Sequence, residues 1–154
     1  MLRTMNPEGS SESVLETLTD RECLRLMASV PVGRIVYTVR AMPAVEPVNF
    51  VLDNGQVVFR TEPGSKLAAA VSHSVVAFQA DQLDSVTHTG WSVTIVGTAQ
   101  EVSDPAEVAR LQEAGLVTWV PGERKHFVRV EPGVITGRRL RGAGWARQQR
   151  RTVP

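Results

Sequence analysis

Phe59-Arg60-Thr61-Glu62-Pro63-Gly64-Ser65-Lys66 joins an extended run to a helix, and the rest of the chain is organised around that junction. Gln56 to Thr61 has the β-branched and aromatic make-up of a strand, which delivers Arg60 and Thr61 to its end. Pro63 and Gly64 break the run. Ser65 and Lys66 then open Leu67-Ala68-Ala69-Ala70-Val71, which reads as a short helix. Two cations, two hydroxyls and a helix start converge on one corner. That combination suits a phosphate group, because the N–H groups and dipole favour negative charge and Arg presents a planar fork of donors. Three or four hydrogen bonds to a charged group, at roughly 1.5–3 kcal/mol each, would hold a mononucleotide. A polar strand-to-helix turn with a surface Arg and Lys reads the same spacing equally well.

Period-two patterning continues on both sides of this corner. Gly33 to Arg40, Ala44 to Asp53 and Gln56 to Thr61 form three consecutive strands. Ala41-Met42-Pro43 and Asn54-Gly55 are the turns between them, and Pro47 marks an edge or bulge position. Beyond the short helix, Ser74 to Ala80 is a fourth strand, Asp81 to Thr89 a polar loop, and Gly90 to Val102 a long fifth strand bent at Gly97. Lys125 to Val130 and a shorter Val134 to Arg139 complete the set. Many short strands at close spacing favour an antiparallel, Greek-key-like barrel over a parallel sheet.

Two further helices carry start signals. Thr19 and Glu22 make a capping box for a helix from Asp20 to about Ser29, with Leu18 and Cys23 at the staple positions. Asp104 and Pro105, with Glu107 completing a box, start a helix that ends at Gly115. The fold class is therefore mainly β with a few helices. Residues 1–17 are a polar, disordered lead, residues 18–140 one domain, and residues 141–154 an Arg-rich mobile tail.

Composition bounds the function. A chain of 154 residues with 42% hydrophobic and 21% charged content has the make-up of one soluble domain. No apolar run nears the ~20 residues of a membrane span. The first ten residues lack the apolar core of a secretory signal, which suggests the cytoplasm. Cys23 is the one cysteine, so an internal disulfide is excluded, and its staple position makes it a packing residue rather than a nucleophile. Of the 17 Lys and Arg residues, six (Arg138, Arg139, Arg141, Arg147, Arg150, Arg151) fall near the end, so 11 basic residues face 16 acidic ones elsewhere. Only the tail, with Trp145, could serve a nucleic acid. His73, His88 and His126 lie in no metal-ligand spacing. No Gly-x-Ser-x-Gly is present, and the glycines of 133–144 lack a dinucleotide context. Trp119 reads as core or rim packing.

Five segments, taken together, resemble the pyridoxamine 5′-phosphate oxidase-like family of flavin-binding split barrels, in particular its small actinobacterial branch with nitroimidazole-resistance-type proteins. They are Pro31-Val32-Gly33-Arg34-Ile35, Pro47-Val48-Asn49-Phe50, Phe59-Arg60-Thr61 with Gly64-Ser65-Lys66, Gly90-Trp91-Ser92-Val93, and Val134-Ile135-Thr136-Gly137-Arg138-Arg139. The resemblance implies a homodimer of split barrels with FMN in clefts at the interface. It implies that Arg60, Thr61, Ser65 and Lys66 bind the FMN phosphate and that Pro47, Val48 and Asn49 line the isoalloxazine ring. Trp91 and Ser92 match the strand that reaches the flavin from the other side, from the partner subunit. In the oxidase that strand start carries a basic and an amide residue, and the chain ends in a substrate-binding arm; both are missing here. The implied activity is flavin-mediated hydride or electron transfer with a small-molecule substrate. Some relatives use the deazaflavin F420, for whose longer tail Arg34 and Lys125 are the spare cations. A non-catalytic flavin or ligand binder is the reading from another class.

Overall fold

In a computed structural model of the chain, residues 14–62, 64–116 and 126–142 are described. Pro63, Trp119, Lys125, Trp145, Arg147, Arg150 and Arg151 lie outside them, as do residues 1–13 of the expected lead. Seven strands and three helices are found among the described residues: β1 (Val14–Thr17), α1 (Asp20–Met27), β2 (Val32–Val39), β3 (Met42–Asp53), β4 (Gln56–Thr61), α2 (Lys66–Val71), β5 (Val75–Asp84), β6 (Thr89–Glu101), α3 (Pro105–Glu113) and β7 (His126–Arg141).

Every strand pair is antiparallel, in the order β1-β7-β4-β3-β2-β5-β6, and a further β7–β6 pairing closes β2 to β7 into a barrel. β2, β3 and β4 follow one another as a meander. The chain then passes through α2 to β5 on the far side of β2, the Greek-key-like step. β7 makes closure possible because it is long enough to have two partners on one edge. His126 to Val130 pairs with β4, Arg138 to Arg141 pairs with β1, and β6 runs along the other edge. The two short strands expected from Lys125 and from Val134 are thus one 16-residue strand. Pro132 does not end it, because it sits opposite Gly97 at the bulge, where ladder pairing shifts anyway. A Cβ on Gly97 would lie 1.9 Å from the Glu131 carbonyl oxygen, so this bend requires glycine.

Other expectations need correction. Val14 to Thr17 is not part of a disordered lead but adds β1 to β7, and Arg141 Nε, assigned to the tail, donates to Glu16 Oε2 at 2.7 Å. The loop expected over Asp81 to Thr89 shrinks to Ser85 to His88: β5 continues to Asp84 and pairs with β6 from Thr89. Gln82, Leu83 and Asp84 are all exposed, so this end of β5 shows no buried-exposed alternation. Its turn is held by Asp84 Oδ1, which accepts from Val86 N at 2.8 Å and Thr87 N at 3.0 Å.

Inside the barrel, strand alternation turns Ile35, Val57, Phe59, Phe78, Val93 and Ile95 inward, all fully buried. Phe50 meets Phe78 edge-on with centroids 4.8 Å apart, and Phe59 stacks on Phe78 at 6.4 Å. α1 contributes Cys23 and Met27 to this core. Its capping box forms as the sequence suggests, with Glu22 N donating to Thr19 Oγ1 and Thr19 N donating to Glu22 Oε2. A second, smaller core of Val58, Leu111, Leu116 and Phe127 lies under α3 on the outer face of β4 and β7.

Candidate functional site

β4 ends at the corner where α2 begins, and strand alternation decides what reaches it. Val57, Phe59 and Thr61 point into the barrel; Val58 and Arg60 point out, toward α3. Arg60 and Thr61 therefore do not converge through their side chains. Thr61 is 3% exposed, the single polar member of the buried set among the described residues, and its hydroxyl donates to the Glu62 carbonyl at 3.5 Å.

Arg60 is held on the outer face. Its guanidinium lies over the Phe127 ring, 5.0 Å from the centroid, and Nη1 donates to the Leu116 carbonyl at 3.3 Å. Its Nε is buried and has no hydrogen-bond partner among the described residues. A buried donor left unpaired costs roughly 1–3 kcal/mol, so this group is short of an acceptor. The described residues supply none.

Ser65 is the N-cap of α2. Its Oγ accepts from Ala68 N at 3.1 Å, so its oxygen is partly used and its proton remains free to donate. Gly64, with φ +73°, makes the left-handed step that sets Ser65 there. Lys66 follows, exposed and without an ion pair among the described residues, on a helix with no acid in its first turn. Arg60, Ser65 and Lys66 thus supply donors on either side of the β4–α2 turn, which itself carries one acid, the exposed Glu62.

Pro47, Val48 and Asn49 lie on β3 opposite Arg34, Gly33 and Val32 of β2. β4 pairs with β3 only from Phe50 onward, so on its other edge this stretch has no strand partner among the described residues. That explains how Pro47 is tolerated inside a 12-residue strand. Beside it lies a cleft of about 520 Å³ between Ser29–Pro31, Asn49–Leu52 and Gly115–Leu116. Leu116 is the same residue whose carbonyl Arg60 holds.

Trp91 is not in such a cleft: at 6% exposure it packs in the barrel core. Its neighbour Ser92 points outward, with Oγ accepting from Gln79 Nε2 at 3.2 Å, in a separate cleft with Thr94, Thr136 and Arg138. Arg34 is engaged by Gln79 at 3.1 Å and lies 3.5 Å from Asp81.

One cluster escapes notice in the sequence. Arg110 grips Asp53 with two hydrogen bonds of 2.9 Å, and Arg129 donates to Asp53 and Gln56, each at 2.9 Å, and to Glu107. The Arg110 bond, reinforced by Arg129, lowers the Asp53 carboxyl to about 2. The expected capping role of Glu107 gives way to this pairing, while Asp104 alone caps α3 through Ala106 N at 3.1 Å. The cluster ties α3 to the β3–β4 hairpin, and so positions the Leu116 wall. The one signal for it is Asp53 and Gln56 flanking Asn54-Gly55. Among the described residues no group of acids, histidines and cysteine is placed to hold a metal ion, and no helix is long and apolar enough to cross a membrane.

Comparison with known proteins agrees with this architecture. The protein FAD binding protein from Mycobacterium smegmatis superposes with a TM-score of 0.70 at 44% identity, covering 81% of this chain and 98% of its own. A putative pyridoxamine 5′-phosphate oxidase from Corynebacterium glutamicum gives a TM-score of 0.73 at 33% identity, covering 82% and 93%. The uncharacterized protein Rv0080 of Mycobacterium tuberculosis is 43% identical over 143 residues, 90% of this chain and 92% of that protein. The family model described as pyridoxamine 5′-phosphate oxidase matches residues 19–139, and the chain belongs to that family.

Proposed function

We propose that this chain binds a flavin nucleotide, FMN as the first reading, and acts in the cytoplasm as an oxidoreductase on a small molecule. The observation that supports this most directly is Arg60, whose buried Nε has no acceptor among the described residues, at the end of the strand that leads to the exposed Lys66. Arg60, Ser65 and Lys66 would donate to the flavin phosphate, with Thr61 contributing through its backbone. Pro47, Val48 and Asn49 would face the ring from the part of β3 that precedes its pairing with β4. The flavin supplies the hydride or electron transfer; the protein binds and orients it and needs no acid or base of its own.

A second copy of the chain completes the site in this reading. An apolar stripe crosses five neighbouring strands on the outer face: Val45, Val36, Ala77, Val96 and Val134 are successive ladder partners. Val45 is 58% and Val134 57% exposed, more apolar surface in one line than a monomer keeps without reason. A homodimer across this face would bring Ser92 toward the other copy's flavin, with Trp91 acting as the buried backing of that strand.

FAD is the second reading, favoured by the 44% identical relative described as binding it. F420 fares worse, since Arg34 is already engaged by Gln79 and Asp81. The absorption spectrum of the purified protein and the mass of its released cofactor separate these. A protein that takes up neither FMN nor FAD would end the proposal. A bound flavin that no nicotinamide donor reduces would leave a non-catalytic binder.

A further inference from the structure

α3 spans the outer face of β4 from one end to the other. At the start of β4 the helix is pinned by charge: Arg110 holds Asp53 with two bonds of 2.9 Å, and Glu107 accepts from Arg129. Midway, Leu111 is buried in the small core with Val58. After the helix, Gly115 takes a left-handed step at φ +73°, and Leu116 returns to the same core at 6% exposure. The Leu116 carbonyl then accepts from Arg60 Nη1 at 3.3 Å. Residues 107–116 thus connect the salt cluster to the guanidinium near the end of β4.

That last bond uses the guanidinium poorly. Nη1 meets a neutral carbonyl at more than the ordinary N–H···O distance. Nε is buried and has no acceptor among the described residues. An oxyanion would make charge-assisted bonds roughly twice as strong as one to a neutral carbonyl. Solvent does not reach Nε, however, so an oxyanion meets it only when a neighbour moves. Phe127, 5.0 Å below the guanidinium, is fixed by the β4–β7 ladder. Leu116 lies beyond a helix end, after a glycine, and is the part that yields.

We propose that Leu116 makes an autoinhibitory contact: its carbonyl occupies Arg60, and a phosphate that takes the guanidinium displaces it and loosens the last turn of α3. This rests on the reading of Arg60 as a donor to the flavin phosphate. Coupling of this kind is reciprocal, so whatever loosens α3 favours the anion. The affinity of the parent protein is then the intrinsic one reduced by the fraction of molecules in which Leu116 has let go.

Two substitutions far along the helix test this in the full-length protein. Arg110→Gln removes a cation and Glu107→Gln an anion, and each cuts one tie of α3 to the barrel. Their direct charge effects on phosphate binding are opposite, but both should raise FMN affinity, by about threefold to tenfold, in a fluorescence-quenching titration. In the parent, FMN should speed amide hydrogen exchange at residues 111–116. Either variant binding FMN no tighter than the parent, or exchange at 111–116 that FMN leaves unchanged or slows, would overturn the contact while leaving the flavin reading in place. A parent that takes up no FMN would end both.

Discussion

Arg60 donates through Nη1 to the carbonyl of Leu116 at 3.3 Å, while its own Nε stays buried without a partner among the described residues. The residue that closes one wall of the larger cleft is thereby tied to the side chain proposed to meet the flavin phosphate. Arg60→Gln with Lys66→Ala removes both cations of the corner. Hydrogen bonds to charged groups contribute about 1.5–3 kcal/mol each, so flavin affinity should fall by about 100-fold or more. Arg147→Ala or Arg150→Ala, which remove charges from the basic end, should leave it nearly unchanged. Quenching of flavin fluorescence on titration measures all three variants, and equal losses everywhere would remove the corner from the site.

Asp53 is the hub of the cluster that fixes α3, and its carboxyl is lowered to about 2 by Arg110 first and Arg129 second. A depressed acid stabilises the fold above its unfolded value, about 3.9, and that contribution disappears as pH falls through about 2. Asp53→Asn should therefore cost about 2 kcal/mol near neutral pH, or roughly 4–8 °C in Tm. The gap between variant and parent should close between about pH 4 and pH 2. Denaturant midpoints across that range read it, and a gap independent of pH would mean the charge is not what holds the cluster.

Gly137 is set by Cys23. A Cβ at position 137 would lie 2.4 Å from the Cys23 Sγ, and 3.1 Å and 3.3 Å from methyl groups of Val93 and Leu18. Gly137→Ala should overpack this place at a cost of about 1–3 kcal/mol. Cys23→Ala opens a space at that same point, so in its background the Gly137→Ala cost should shrink. A double-mutant cycle by chemical denaturation gives the coupling; additive costs would show that the sulfur is not the obstacle.

Local rules account for much of the fold. The Thr19–Glu22 box, the Asn54-Gly55 turn with φ of 54° and 75°, the bounds of β4 and the Asp104 cap all follow from side chains within a few residues. What sequence reading could not supply is what depends on distant partners. Pro132 looks like a strand end until Gly97 stands opposite it. Polar Asp81 to Asp84 looks like loop until β6 pairs with it. The candidate corner shows the same division. The residue types at 60, 65 and 66 were legible as a donor set, but Arg60 and Thr61, adjacent in a strand, had to part to opposite faces. Trp91 was grouped with Ser92 by sequence and separated from it for the same reason.

Val96 lies at the centre of the exposed apolar stripe, between Ala77 on β5 and Val134 on β7, and is itself 38% exposed. An outward side chain at a pleated surface tolerates a charge in the monomer, because water already reaches it. Between two copies the same charge would be buried without a partner, which costs several kcal/mol. The proposed dimer should therefore give way to monomer in Val96→Asp, read by light scattering at micromolar concentration. Circular dichroism of the variant should stay that of an intact barrel. Flavin retention should fall with the dimer, since Ser92 of the second copy would no longer reach the ring. A variant that keeps both its dimer mass and its flavin would place the contact between copies on some other face.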